Sequence, residues 1–184
     1  NGISLGSIYA LIALGYTMVY GIIKLINFAH CDVYMIGAYV GYFCMTTFHI
    51  GFIPSVLIAM VVCTLLGIAI EKIAYKPLRN ATRIAVLITA IGVSLFLEYG
   101  TMFFVKATSR SYPEMTGMMA QRFDFGKVVV SMQQILILAI TVALMILLQL
   151  VVKKTRIGKA MRAVSMDRDA AELMGINVDT TITF

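Results

Sequence analysis

Long stretches without charge constrain this chain more than any other feature. From Gly2 to Ile23 no side chain carries a formal charge, and Lys24 follows. A helix that crosses a bilayer needs about 20 consecutive, mostly apolar residues, so Gly2–Ile23 reads as one span. Between Val33 and Ile70 the ionisable side chains are His49 and several Tyr and Cys. Gly51 and Pro54 divide that stretch into Val33–Phe48, which is short for a span, and Phe52–Ile70. Pro54 suits the first turn of a helix, where its missing N–H is no loss. Ile84–Val105, interrupted by Glu98, and Val128–Val152 read as two further spans. Ser131 and Gln134 predict a capping box near the start of the last one. The expected fold class is an all-α membrane protein, a polytopic transmembrane helix bundle with a short or broken second span.

Composition agrees. The chain is 60% hydrophobic and 13% charged, whereas a soluble domain carries about a quarter charged residues. Too little charge remains to wet a chain of 184 residues. That excludes an ordinary soluble enzyme, a disordered protein and a DNA-binding module. The net charge of +6 does not imply a nucleic-acid partner, because the basic residues fill short gaps between apolar runs, as in cytoplasmic loops. Cys31, Cys44 and Cys63 lie in or beside apolar stretches and do not form a disulfide framework. With no Trp, any interfacial belt is built from the nine Tyr. No charged segment precedes the first apolar run, so it does not read as a signal peptide. The expectation is one transmembrane domain over 1–184, a fragment of a longer polytopic protein with further spans after Phe184.

Basic residues set the orientation. The 71–83 loop holds Lys72, Lys76, Arg79 and Arg83, and the tail holds Lys153, Lys154, Arg156, Lys159, Arg162 and Arg168. The longer 106–127 loop holds Lys106, Arg110, Arg122 and Lys127, with Pro113 and Gly117. Parity puts the first two on one side. Four plus six against four then places 71–83 and 153–177 in the cytoplasm and 106–127 outside. The side of the N-terminus depends on whether the second apolar run crosses completely.

Motifs for covalent chemistry are missing. Gly158-Lys159 and Gly126-Lys127 do not complete a P-loop, and there is no GxGxxG. His30 and His49 lack Cys/His partners at zinc spacing, and no Ser/His/Asp set emerges. The chain reads as a non-enzyme that needs no metal or cofactor.

Three polar or small-residue features stand out. Asn27, Phe28, Ala29, His30, Cys31 and Asp32 put an amide, an imidazole and a carboxylate between two apolar runs. Such a segment either dips into the membrane as broken backbone lining a cavity or forms a polar loop with Asp32 as N-cap. Gly2-x-x-x-Gly6 and Gly37-x-x-x-Gly41 fit close helix packing. Glu98, an acid inside a span, is expected against protein or outer-surface water. The third feature is the tail Gly158–Asn177. Asp167 or Asp169 can start a helix there and Gly175 can end one. Met166, Ala170, Leu173 and Met174 fall at i, i+4, i+7 and i+8, as on one helix face. Two short helical pieces result, suited to a groove on another protein or to lipid headgroups.

In the tail, Asp169-Ala170-Ala171, three residues and Gly175 resemble the first half of the EAA-x3-G loop of ABC-importer permeases, with Asp in the Glu place. More specifically, Asn1–Ile23, Asn27–Asp32 with the following Val33–Gly37, and Gly158–Asn177 resemble the permease subunits of high-affinity branched-chain amino acid ABC importers. Cys31 departs from that pattern, where Gly usually follows the His. The resemblance implies a pore-forming subunit that moves leucine, isoleucine and valine by alternating access. It implies a second permease subunit, two ABC ATPase subunits that hydrolyse ATP, a periplasmic or lipid-anchored substrate-binding protein, and a bacterial cytoplasmic membrane as location. The short second apolar run beside the polar cluster puts Asn27–Asp32 in the membrane-embedded part, by the substrate path. The resemblance assigns Gly158, Arg162, Ala163, Asp169, Ala170, Ala171, Gly175, Ile176 and Asn177 to ATPase coupling. A permease for urea or short amides, a more distant sugar permease, and a stand-alone channel or secondary transporter are the alternatives. A path for an apolar zwitterion is expected to carry few fixed charges, since Glu98 is the one charged residue inside the four spans.

Overall fold

The computed structural model describes residues 2–23, 27–78, 81–106, 108–113, 122–125 and 128–183. Asn1, Lys24, Arg79, Gly117, Gly126, Lys127 and Phe184, which entered the sequence reading, lie outside these, as do the side chains of Arg83 and Arg122. The chain divides into two compact units. The first comprises residues 1–24, 114–182 and 184, and the second 25–113 and 183.

In the first unit α1 (Gly2–Ile23) covers the whole expected run. It packs along α5 (Met132–Lys154), and both meet α6 (Arg156–Met166). The small polar residues Ser7 on α1 and Thr141 on α5 are buried. Thr141 donates its hydroxyl to the Ile137 carbonyl at 2.8 Å, which satisfies it inside its own helix. The expected capping box is present: Ser131 Oγ accepts from the Gln134 N–H and Gln134 Oε1 accepts from the Ser131 N–H. It moves the helix start. Val128–Ser131 is not the first turn of the span but β2, paired antiparallel with β1 (Arg122–Phe125) in the register Phe125↔Val128. Three consecutive Val favour extended backbone, and the cap at Ser131 fixes where the helix begins. This hairpin is the one departure from an all-α chain among the described residues. After α6 come α7 (Arg168–Leu173) and α8 (Val178–Thr183).

In the second unit α2 (His30–Thr46) and α3 (Phe52–Ile70) form a hairpin through residues 47–51. Gly51 is the N-cap of α3 and Pro54 lies in its first turn, as expected. The 71–83 segment is not a loop throughout. The helix continues as a π turn over Glu71–Tyr75 and a 3-10 turn over Lys76–Leu78. Charge at Glu71 and Lys72 ended the apolar run but did not end the helix, because no Gly or Pro intervenes before Pro77. Thr82 then caps α4 (Arg83–Val105) by accepting from the Ala85 N–H.

Three helical stretches, Phe52–Leu78, Ile84–Val105 and Gln134–Lys154, are long and apolar enough to cross a membrane, and Leu5–Gly21 is a shorter apolar helix. Their outward surfaces carry Leu65, Phe96, Phe103, Phe104 and Leu147, all exposed. Water does not tolerate so continuous an apolar surface, and lipid does. The two small-residue pairs behave differently. A Cβ on Gly37 would stand 2.6 Å from Cys63 Sγ, so this glycine lets α3 approach α2, and Gly41 lies against the Tyr112 hydroxyl. Among the described residues nothing lies within 4 Å of a Cβ built on Gly2 or Gly6.

Candidate functional site

The segment Asn27–Asp32 is a turn running into α2. Asn27, Phe28 and Ala29 precede the helix, and His30, Cys31 and Asp32 form its first turn. Ala29, fully buried, is the N-cap and provides no side-chain bond. Asp32 is therefore not the cap. It lies three residues into the helix, and its carboxylate accepts from Ser94 Oγ of α4 at 2.5 Å. Tyr75 of the π turn donates its hydroxyl to Asn27 Oδ1 at 2.8 Å. Cys63 Sγ of α3 lies 3.5 Å from the Val33 carbonyl as a weak donor. Phe28 and Cys31 are exposed and His30 is half-buried. Cys31 has ordinary helical backbone, so replacing a glycine there causes no strain; His49 and Lys106 are the described non-glycine residues with positive φ.

These bonds fix the level of the turn. Ser94 is the midpoint of α4, about 16 Å from either end at 1.5 Å per residue. Cys63 is two residues from the middle of the Phe52–Leu78 stretch. The first turn of α2 thus starts opposite the midpoints of both long helices. The 17 residues of α2 run from there toward the end of the unit where α3 begins. Glu71 is buried beside this region, on the π turn that packs against α4. The sequence reading missed Tyr75, Ser94, Cys63 and Glu71. Ser94, a hydroxyl within an apolar span, was the one legible signal.

At the other end of α2 the segment after α4 folds back. Tyr112 donates to the Ala38 carbonyl and stacks edge-on with Tyr42 at 5.9 Å. The Arg110 guanidinium lies 5.7 Å from the Tyr42 ring centroid and 5.5 Å from that of Phe43, within cation–π range. Burial, and then the neighbouring Tyr34, push the Tyr112 phenol above its ordinary value. Glu98 is exposed on α4 and has no hydrogen-bond or ionic partner among the described residues.

The tail forms a second polar construction. Thr155 Oγ1 accepts from the Gly158 N–H at 3.0 Å and caps α6. A Cβ at Gly158 would run into the Val151 and Val152 carbonyl oxygens, so only glycine fits this corner. Gly158, Met161 and Val164 are buried on one side of α6. Arg162 is exposed and donates to the Lys153 carbonyl at 3.3 Å. At Asp167 the chain becomes extended (φ −152°, ψ 119°), its backbone N–H bonds to the Ala163 carbonyl, and its carboxylate accepts from the Asp169 and Ala170 N–H groups. Met166 and Ala170–Met174 therefore do not share one helix face; the periodicity is broken at Asp167. All of Met166, Leu173 and Met174 are nonetheless more than 80% exposed (85%, 89% and 82%). Buried Ala171 anchors α7. The Ile176 N–H reaches the Ala171 carbonyl and the Gly175 N–H reaches the Glu172 carbonyl, with Gly175 at φ +80°. That is a Schellman closure, which needs a left-handed residue after the helix. Asn177 Oδ1 then accepts from the Thr180 N–H and caps α8. The Asp-Ala-Ala-x3-Gly spacing is thus the spacing of one capped turn and its closure.

A chain with three helical stretches long and apolar enough to cross a bilayer, and exposed apolar surface along them, is a multi-pass membrane protein. It belongs to the family described as "Branched-chain amino acid transport system / permease component", whose profile matches residues 1–184. The chain is 40% identical to the high-affinity branched-chain amino acid transport system permease protein BraD of Pseudomonas aeruginosa, over 99% of this chain and 62% of that protein. It is 37% identical to LivH of Escherichia coli, over the same shares. It is 29% identical to the probable branched-chain amino acid transport permease LivH of Methanocaldococcus jannaschii, over 97% of this chain and 57% of that protein. The chain thus spans less than two thirds of the length of these relatives. No solved structure matches it.

Proposed function

We propose that the chain is part of a pore-forming permease subunit of an ATP-driven, binding-protein-dependent importer for leucine, isoleucine and valine. Hydrolysis of ATP belongs to two ABC ATPase subunits, and a second permease subunit completes the pathway. A periplasmic or lipid-anchored binding protein delivers cargo from outside. The location is a bacterial cytoplasmic membrane, with 71–83 and 153–177 in the cytoplasm and 106–127 outside. Residues 1–184 act as one transmembrane domain, with 153–177 as its coupling segment.

The observation that carries this reading is the corner after α5. A membrane-spanning helix continues directly into two short helices whose ends are fully capped, while Met166, Leu173 and Met174 point away from the chain. A rigid pair of helices with unpartnered apolar side chains transmits force well, because it has few internal degrees of freedom to absorb it. Gly158, Arg162, Ala163 and Asp169–Asn177 build that corner, and we assign it to ATPase docking. Nucleotide-dependent contacts there bias the pathway between inward and outward states. The Asn27–Asp32 turn, which runs from Tyr75 of the π turn to Ser94 at the midpoint of α4, supports a place beside the substrate path.

Uptake of labelled leucine by proteoliposomes holding the full complex tests the function. Gly175→Trp, which cannot adopt the left-handed closure without strain, is expected to abolish the stimulation of ATP hydrolysis by loaded binding protein. Intact stimulation in that variant overturns the docking assignment. Uptake of urea or a short amide in place of leucine overturns the cargo.

A further inference from the structure

Asp32 is a carboxylate at the middle of a membrane unit with one hydroxyl for a partner. Among the described residues Ser94 is its hydrogen-bond donor, and no lysine or arginine pairs with it. Among the described residues of this unit the cations come after the long helices: Lys72 and Lys76 follow α3, and Lys106 and Arg110 follow α4. An ionised carboxylate held about 16 Å from either end of α4 is costly unless a positive group compensates it. Helix geometry adds to the case. Asp32 sits in the first turn of α2, where the backbone N–H groups favour negative charge, and no described Lys or Arg of the unit supplies a counter-charge.

From this arrangement we infer that Asp32 receives the α-ammonium group of the amino acid as it passes. The inference rests on the permease reading above and names the group that would meet the cargo. Ser94 is a positioning residue: by donating to the carboxylate it holds the side chain on α4 and takes up part of its charge, so the ammonium is held without being trapped. Few fixed charges were expected along such a path; in this view one is present, and it is the complement of the charge every amino acid cargo carries. Glu98, exposed and without a partner among the described residues, lacks this construction.

Cys31, exposed and adjacent to Asp32 in sequence, is the probe. The complete transporter in proteoliposomes is treated with a small water-soluble thiol reagent, and the label on Cys31 is quantified by mass spectrometry. Three ligands are compared: leucine, leucinol, which keeps the ammonium and lacks the carboxylate, and 4-methyl-2-oxopentanoate, which keeps the carboxylate and lacks the ammonium. Leucine and leucinol are expected to slow labelling by roughly tenfold, the effect of a charged hydrogen bond, while the oxo acid leaves it unchanged. Asp32→Asn is expected to remove both protections, and Ser94→Ala, which releases the carboxylate from α4, to weaken both while the oxo acid stays without effect. Equal protection by the oxo acid, or none by leucine in a preparation that transports leucine, overturns the role of Asp32 and leaves the permease reading standing. A preparation of the unmodified complex that does not transport leucine overturns both. The ligand comparison needs no variant, so misfolding of Asp32→Asn does not protect the inference.

Discussion

The starts of α2 and α5 are held in different ways. At α5 the free N–H groups are met by Ser131 and Gln134, three residues apart. At α2 the N-cap is Ala29, with no side-chain bond. The first turn is held instead by Tyr75 and Ser94, 48 and 62 residues from their partners. A locally capped start survives if its neighbours move. A start held from two other helices moves when they do. The first suits an element that must stay put, and the second an element coupled to its surroundings.

The corner at α6 is the most extreme local case, and Gly158→Ala is the largest expected effect. Its Cβ meets backbone oxygens that cannot rotate away, so a loss of about 3 kcal/mol or failure to assemble is expected, read from the thermal midpoint of the purified complex. Tyr75→Phe removes the donor to Asn27 and is expected to cost about 1–2 kcal/mol. The same variant is expected to speed thiol labelling of Cys31, because the turn loses its anchor; an unchanged rate would show that the start of α2 does not depend on its distant partner. Ser131→Ala is expected to cost about 1 kcal/mol and to leave Cys31 labelling as it was. If it changed that labelling, the distinction between local and distant capping would fail. The smallest effect is Glu98→Gln, within about 0.5 kcal/mol as for other exposed sites. The apparent affinity for leucine is expected to hold, and a large fall in turnover with normal assembly would place Glu98 in the pathway.

What the sequence made legible follows the same division. The run Gly2–Ile23, the Gly51–Pro54 break, the Ser131 cap and the Asp167–Gly175 closure are written within a few residues of where they act, and each was readable. The role of Asp32 was not. Its residue type suggested a cap, but its partner is set by the packing of α2 against α4. Hydropathy ended α3 at Ile70 because charge begins at Glu71, although nothing in the backbone stops the helix before Pro77. The Gly-x-x-x-Gly spacing was ambiguous for a related reason: at Gly37 a helix approaches, and at Gly2 and Gly6 no described residue comes as close. Spacing shows that a close approach is allowed and does not supply the partner.

The π turn over Glu71–Tyr75 gives α3 a discontinuity in phase. The Lys76 N–H reaches back five residues to the Glu71 carbonyl, so one residue more than an α-turn is accommodated, and everything after it is rotated relative to the helix before. That rotation determines the direction from which Tyr75 meets Asn27. Removing a single residue between 71 and 75 would restore the α-helical phase and carry Tyr75 about 100° around the axis. Apolar length, charge count and orientation would be almost unchanged, yet the turn before α2 would lose its tether. For this chain a one-residue change in length within the π turn is a larger event than most substitutions, and a comparison of hydropathy alone would not register it.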